Sequence, residues 1–249
     1  MLYAALTFWL MVIVFSAWGV HWLWSRLIKP RAVNTVLLPG TLVAQLGHVL
    51  GLLVTGNSVS NTKLMGDDEE GEPTSDTPER QRIPVLGPVI VGLLPLIACA
   101  ACLYLATRFL GRGVLPTDAT FDLPQKLPAS IPEFWALLHA GVDAGQNMLA
   151  AILRSNLKHW PNVLFLYLAV CLTVRMTPFE GNRRGAIGAI LLSGVVIGVL
   201  ATFIAPMEEA VYSSWPVLTF AVGMLLFLLI VSLLVSGLVG LIRILAKNE

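Results

Sequence analysis

The chain has 249 residues, of which 56% are hydrophobic and only 12% carry a charged side chain. Because an ordinary soluble domain has roughly 25% charged residues, this composition excludes a soluble enzyme, and the high hydrophobicity also excludes an intrinsically disordered chain. The net charge of +1 gives no positive field that would attract a polyanion, so we expect no nucleic-acid partner. The composition predicts an all-α, polytopic transmembrane helical bundle.

Apolar runs along the chain predict the membrane-spanning helices, because about 20 apolar residues are needed to cross the hydrocarbon core. Five runs qualify, and two further segments are ambiguous. Residues 33–56 contain a Pro-Gly pair and a polar face, and residues 133–155 have helical periodicity but carry several polar side chains. We therefore expect about five to seven spans. The five clear runs are residues 4–24, 84–108, 160–177, 185–206 and 216–243.

One acidic segment divides the chain into three parts. Residues 57–83 hold seven carboxylates among Gly, Pro, Ser and Thr, which predicts a solvated, disordered loop. A loop that binds a metal or a partner is the alternative. Residues 1–56 then form the N-terminal spans, and residues 84–249 form the remaining bundle, which includes the polar helix 133–155.

The positions of Lys and Arg predict that the N-terminus lies outside the membrane. Arg26, Lys29 and Arg31 follow the first apolar run instead of preceding it, which favours a retained span over a cleaved signal peptide. Two topologies place eleven basic residues inside and five outside. One has seven spans; the other has five, with 33–56 re-entrant and 133–155 on the outer surface. The sequence favours seven spans, in a plasma membrane or a bacterial inner membrane.

The first cluster of polar residues within an apolar segment lies in 33–56. Thr41, Gln45 and His48 occupy positions i, i+4 and i+7, which share one helix face. The run LPGTLVAQLGH at 38–48 resembles the zinc helix of site-2-protease-like membrane metalloproteases. In that family a His-Glu-x-x-His motif supplies two zinc ligands and the glutamate that activates the zinc-bound water.

The departures from that motif imply an inactive protein. When the segment is aligned on His48, the position of the first zinc ligand holds Ala44, which cannot bind a metal. The position of the general base holds Gln45, whose amide cannot accept a proton near neutral pH. We therefore predict no catalytic residue. The resemblance implies a pseudoprotease that binds or scaffolds a membrane-protein partner within the lipid bilayer.

The second cluster is the stripe His139, Asp143 and Asn147 in residues 133–155. Ionisable groups inside a membrane are costly and are functional candidates by default. In the family that the chain resembles, a later helix supplies an aspartate as the third zinc ligand, and Asp143 is a loose match. No cofactor is otherwise expected; zinc, if bound, would use His48, Asp143 and His139. If 133–155 is instead an interfacial amphipathic helix, the stripe meets lipid headgroups.

Two other functions stay open at this point. The chain could be a structural subunit of a membrane complex, or a small transporter, without protease ancestry. Its polar residues would then pack inside the bundle or line a pathway. Alternatively, an enzyme could retain an altered metal site built from His48, Asp143 and either His139 or His21.

Overall fold

The computed structural model describes residues 2–57, 86–114, 123–176 and 206–247, and every regular element within these ranges is a helix. The all-α prediction is therefore confirmed for this part of the chain. The acidic segment after residue 57 and the predicted span 185–206, up to residue 205, lie outside the described residues. The helices are α1 (Leu2–Leu27), α2 (Pro30–Val36), α3 (Leu38–Val54), α4 (Leu86–Leu110), α5 (Ile131–Arg154), α6 (Trp160–Val174) and α7 (Pro206–Lys247).

Three stretches of these helices are long and apolar enough to cross a membrane, and they characterise an α-helical membrane protein. They are Leu2–Leu27, Ile90–Gly113 and Trp215–Leu241. The pair α2 and α3 adds a fourth only if it is counted as one span, although its axes are bent by 76°. The apolar helix α6 has 15 residues, which gives a length of about 22 Å at 1.5 Å per residue, so it is shorter than the three candidate spans. α5 is not among the helices that are long and apolar enough to cross a membrane. The described residues thus hold three or four candidate spans, and the expected five to seven are not confirmed.

The bend between α2 and α3 follows from the local sequence. Leu37 lies between the two helices, and Pro39 is the second residue of α3. Proline has no N–H group, so the helical hydrogen-bond pattern cannot continue through this position. The new helix is established by Thr41, whose backbone N–H donates to the carbonyl of Leu37 at 2.9 Å. A single apolar run therefore folds as two helices.

Glycines bring α3 into direct contact with the backbone of α4. A Cβ atom on Gly47 would lie 2.7 Å from the carbonyl oxygen of Leu94, and one on Gly51 would lie 2.9 Å from the Cα of Val91. Small residues allow such close approach between helices in membranes. Because the later residue of α3 meets the earlier residue of α4, the two helices run antiparallel.

The directions of the longer helices follow from a few contacts. α1 and α7 run parallel, since Gly19 faces Leu229 and the indole N–H of Trp24 donates to the Ser232 hydroxyl at 2.8 Å. α4 and α6 run antiparallel, because Gly111, just beyond the end of α4, faces Phe165 near the start of α6.

The first part of α6 also lies near the start of the apolar part of α7. The Phe165 ring lies 5.7 Å from the Phe220 ring, centroid to centroid. The segment before α5 lies against the same region, because the indole N–H groups of Trp9 and Trp215 donate to the carbonyls of Pro124 and Leu123 at 3.0 and 3.1 Å. The end of α4 and the starts of α6 and of the α7 span therefore lie on one side of the bundle.

The Ser130 side chain caps the start of α5, and this helix packs on α7. The backbone N–H of Glu133 donates to the Ser130 hydroxyl, and the Glu133 carboxylate accepts from the backbone N–H of Ala129 at 2.7 Å. On the packed face, the carbonyl of Ala144 lies 3.0 Å from where a Cβ on Gly223 would be. Small residues on both helices therefore set this contact.

A candidate polar site at the helix break

A buried cluster of polar side chains lies beside the break between α2 and α3. Asn34 on α2 is 3% exposed, and Arg175, directly after α6, is 5% exposed. The guanidinium Nη2 of Arg175 donates to the Asn34 amide oxygen at 2.6 Å, and the imidazole Nε2 of His21 on α1 lies 3.3 Å from the same oxygen. The amide oxygen of Asn34 therefore connects three helices through polar contacts.

The side chains of α6 also satisfy the backbone at the break. The hydroxyl of Tyr167 donates to the carbonyl of Val36 at 2.8 Å, and the thiol of Cys171 lies 3.4 Å from the same oxygen. A carbonyl without a partner in a bilayer costs several kcal/mol, so interrupted helices in membranes need such contacts. α6 thus provides hydrogen-bond donors at the place where the chain bends.

Gly40 lets the first turn of α3 approach the last turn of α6. A Cβ atom at this position would lie 2.6 Å from the carbonyl carbon of Cys171 and 3.1 Å from the Cγ of Arg175. Backbone atoms of α6 cannot move aside as the end of a flexible side chain can. The Pro-Gly pair therefore has two separate roles, because Pro39 interrupts the hydrogen bonds and Gly40 permits the close packing.

The polar face predicted on α3 is buried. Thr41, Gln45 and His48 are 1%, 3% and 2% exposed. The Thr41 hydroxyl donates to the carbonyl of Leu37 at 3.1 Å, and neither Gln45 nor His48 is without an interaction partner. Ala44, at the position where a zinc helix would hold its first ligand, is completely buried at 0% exposure. This face of α3 is therefore a packing face, with no open volume at Ala44.

The structure does not bring the expected metal ligands together. His48 is buried on α3, which packs on α4 and α6, whereas His139 and Asp143 are exposed on α5, which packs on α7. Asn147 is exposed on the same helix, and the imidazole Nδ1 of His139 is 2.8 Å from the carbonyl of Trp135, within its own helix. Within the described ranges, no group of three or more His, Cys, Asp or Glu side chains is placed to hold a metal ion.

Two residues of the polar cluster were missed from sequence. Asn34 is a single amide in the short run before the Pro-Gly pair, and Arg175 follows an apolar run, where a basic residue is expected for topological reasons alone. His21, considered above as an alternative metal ligand, has its Nε2 atom 3.3 Å from the Asn34 amide oxygen. The available signal was the polar Asn34 inside an apolar segment, which is costly in lipid unless it has a partner.

Comparison of the chain with protein-family models, with curated proteins and with solved structures gives no match. The class of protein is therefore defined by the fold and the polar cluster themselves. It is an α-helical membrane protein in which a buried Asn–Arg contact, extended by a partly buried His, lies beside a bent helix pair. These comparisons provide no test of the resemblance between residues 38–48 and the zinc helix of site-2-type proteases.

Proposed function

We propose that the protein is a non-catalytic integral membrane protein that binds and holds a membrane-protein partner. The observation that carries this proposal is the complete burial of Ala44 in the face of α3 that packs inside the bundle. A zinc hydrolase would need a metal ligand here and a general base at Gln45. A helix that keeps the Pro-Gly pair and His48 but lacks both groups has the properties of a pseudoprotease helix retained for packing.

The helix directions support a topology in which α2 and α3 re-enter the membrane, instead of the seven spans favoured by the sequence. The end of α4 and the starts of α6 and of the α7 span share one side, and α1 is parallel to α7. The end of α1 and the start of α4 then lie together on the opposite side. The chain that joins α1 to α4 therefore leaves the bundle and returns to it at the same face of the membrane. In this topology the α2–α3 pair does not cross the membrane.

The distribution of basic residues supports the same topology. With α2–α3 re-entrant, the eleven-to-five excess of Lys and Arg places the end of α1, the acidic segment and Arg175 towards the inside. The proposed protein has the five-span topology that the sequence left open, and it resides in a plasma membrane or a bacterial inner membrane. α6 then approaches from the outer side and ends beside the re-entrant pair.

The test of the proposed function is a variant that restores the missing zinc motif. Ala44→His together with Gln45→Glu completes His-Glu-x-x-His in residues 44–48. We expect the purified variant to bind no zinc and to cleave no transmembrane peptide, and to be less stable than the wild type, because an imidazole does not fit at a fully buried alanine. Gln45→Glu alone is the matched control. Cleavage of the peptide by the wild-type protein that is lost in His48→Ala would contradict the proposal.

A second candidate, a small transporter without protease ancestry, is favoured by the polar cluster at the re-entrant pair. Irregular backbone at membrane depth occurs where it is buried in protein or lines a water-filled cavity. In a transporter, Asn34 and Arg175 would contact the solute. Solute flux into proteoliposomes that is lost in Asn34→Leu, with the fold intact, would favour this function; absence of flux across a panel of ions and small solutes would favour the binding role.

A further inference from the structure

We propose that the polar face of α5 is a self-association surface, which pairs with the same face of a second copy of this chain inside the membrane. The proposal goes beyond the partner-binding role, because the occupant is a second copy and its test needs no other protein. It rests on the depth at which α5 contacts α7, on the residues that the exposed face carries and on their self-complementary charge.

The middle of α5 lies well inside the membrane. Gly145 faces Leu226 of α7, and the carbonyl of Ala144 faces Gly223. Leu226 lies eleven positions after the start of the candidate span Trp215–Leu241, which is about 16 Å along the helix at 1.5 Å per residue. Because the hydrocarbon core of a bilayer is about 30 Å thick, this contact lies near its middle.

α5 therefore reaches deeper than the outer surface on which the five-span topology places residues 133–155. Its end remains on the outer side of the bundle. There the carbonyl of Asn156 accepts from the side-chain amide of Asn162 at 3.0 Å, and Asn162 lies beside Gly113, just after α4. α5 is thus inclined from the outer side towards the middle of the bilayer.

One face of α5, in the region that contacts α7, carries only small and polar side chains. These residues recur at spacings of three, four and seven and fall within a sector of about 100° when each residue turns the helix by 100°. All of them are exposed or half-buried. The members of this polar face are Ala136, His139, Ala140, Asp143, Asn147 and Ala150.

A face of this kind is suited to another helix and not to lipid. Ionisable groups at membrane depth are costly, and they face protein or a water-filled cavity. Helix interfaces in membranes are enriched in small residues and in polar side chains that form hydrogen bonds between helices. A separate exposed face of α5, at Leu138, Val142 and Leu149, is apolar and suits acyl chains. The two faces therefore have different occupants, which are lipid on the apolar face and protein on the polar face.

The charges on the polar face favour a second copy as the protein that covers it. His139 and Asp143 lie one helical turn apart, and the Nδ1 atom of His139 is 2.8 Å from the carbonyl of Trp135, which leaves Nε2 for another group. In a two-fold contact, residue i of one copy meets residue j of the other, and j meets i. His139 of each protomer then pairs with the partner's Asp143, and this contact occurs twice. A partner with basic side chains alone would leave His139 opposite a like charge.

The test measures energy transfer between donor-labelled and acceptor-labelled protein in phosphatidylcholine vesicles at varied lipid-to-protein ratios. We expect the wild type to form dimers. His139→Asp and Asp143→His should each self-associate about tenfold more weakly, because like groups then oppose each other at both contacts of the dimer. Leu149→Ala on the apolar face is the matched control and should associate as the wild type does.

A mixture of the two charge variants distinguishes a lost contact from a misfolded protein. When His139→Asp protein pairs with Asp143→His protein, each carboxylate of one variant opposes an imidazole of the other. We therefore expect energy transfer between the two variants to return to the wild-type level.

Three results would overturn the proposal. A monomeric wild type would mean that water or residues outside the described ranges cover the polar face. Wild-type association in both charge variants would mean that the dimer uses another surface. Failure of the two variants to associate with each other would exclude the pairing of His139 with the partner's Asp143.

Discussion

The packing of α3 on α4 predicts that the smallest enlargement of Gly47 destabilises the protein. In Gly47→Ala, the new Cβ would lie 2.7 Å from both the Leu94 carbonyl oxygen and the Cα of Pro95, and 2.9 Å from the Cβ of Ala98. Two of these atoms belong to the backbone, so the helices must separate. Alanine is favoured over glycine in a helix by about 0.8–1.0 kcal/mol, and an overpacked contact costs about 1–3 kcal/mol. We expect a net loss of about 1 kcal/mol, and of at most about 2 kcal/mol.

A matched control is available at Gly237 on α7. A Cβ at that position meets nothing within 4 Å, so Gly237→Ala gains helix propensity without a steric cost. Both variants would be purified in the same detergent, and their thermal unfolding midpoints compared with the wild type. The Gly47 variant should unfold at lower temperature and the Gly237 variant at equal or higher temperature. A Gly47→Ala protein at least as stable as Gly237→Ala would refute the close packing of α3 on α4.

Three further substitutions test individual contacts by the same unfolding assay. Asn34→Leu removes the amide oxygen that accepts from the buried Arg175, and a hydrogen bond to a charged group contributes about 1.5–3 kcal/mol; stability equal to the wild type would exclude this contact. Tyr167→Phe removes one donor to the Val36 carbonyl and should cost about 1 kcal/mol, whereas an unchanged midpoint would mean that the bend does not use this donor. Thr219→Val should raise stability, because the Thr219 hydroxyl is buried without a hydrogen-bond partner among the described residues and leaving such a group unsatisfied costs about 1–3 kcal/mol; a lower midpoint would point to a partner for this hydroxyl.

The long apolar helices were the part of the fold that sequence could predict. The runs 4–24, 84–108 and 216–243 correspond to the candidate spans Leu2–Leu27, Ile90–Gly113 and Trp215–Leu241. Such predictions succeed because a long apolar run leaves the backbone few ways to satisfy its hydrogen bonds other than a helix. Hydropathy alone did not distinguish a single span from a re-entrant helix pair in residues 33–56, because the same apolar residues would form either one.

The candidate site was predictable only where local spacing determines it. The shared face of Thr41, Gln45 and His48 follows from helical periodicity, and all three are buried. The contact between Asn34 and Arg175 joins residues 141 positions apart, and no local pattern encodes such a pair. The exposed position of His139 and Asp143 depends on which face of α5 contacts α7, and the small residues at Gly141 and Gly145 determine that choice.

The most direct test of the central claim is the zinc content of the purified protein, measured by mass spectrometry beside His48→Ala. The claim is that α3, although it resembles a zinc helix, is a packing helix of a non-catalytic membrane protein. The purified proteins are incubated with zinc, and the unbound metal is then removed by dialysis. The claim predicts that neither protein retains stoichiometric zinc. One bound zinc per chain in the wild type that is lost in His48→Ala would contradict it, because His48 would then be a metal ligand and catalysis would have to be reconsidered.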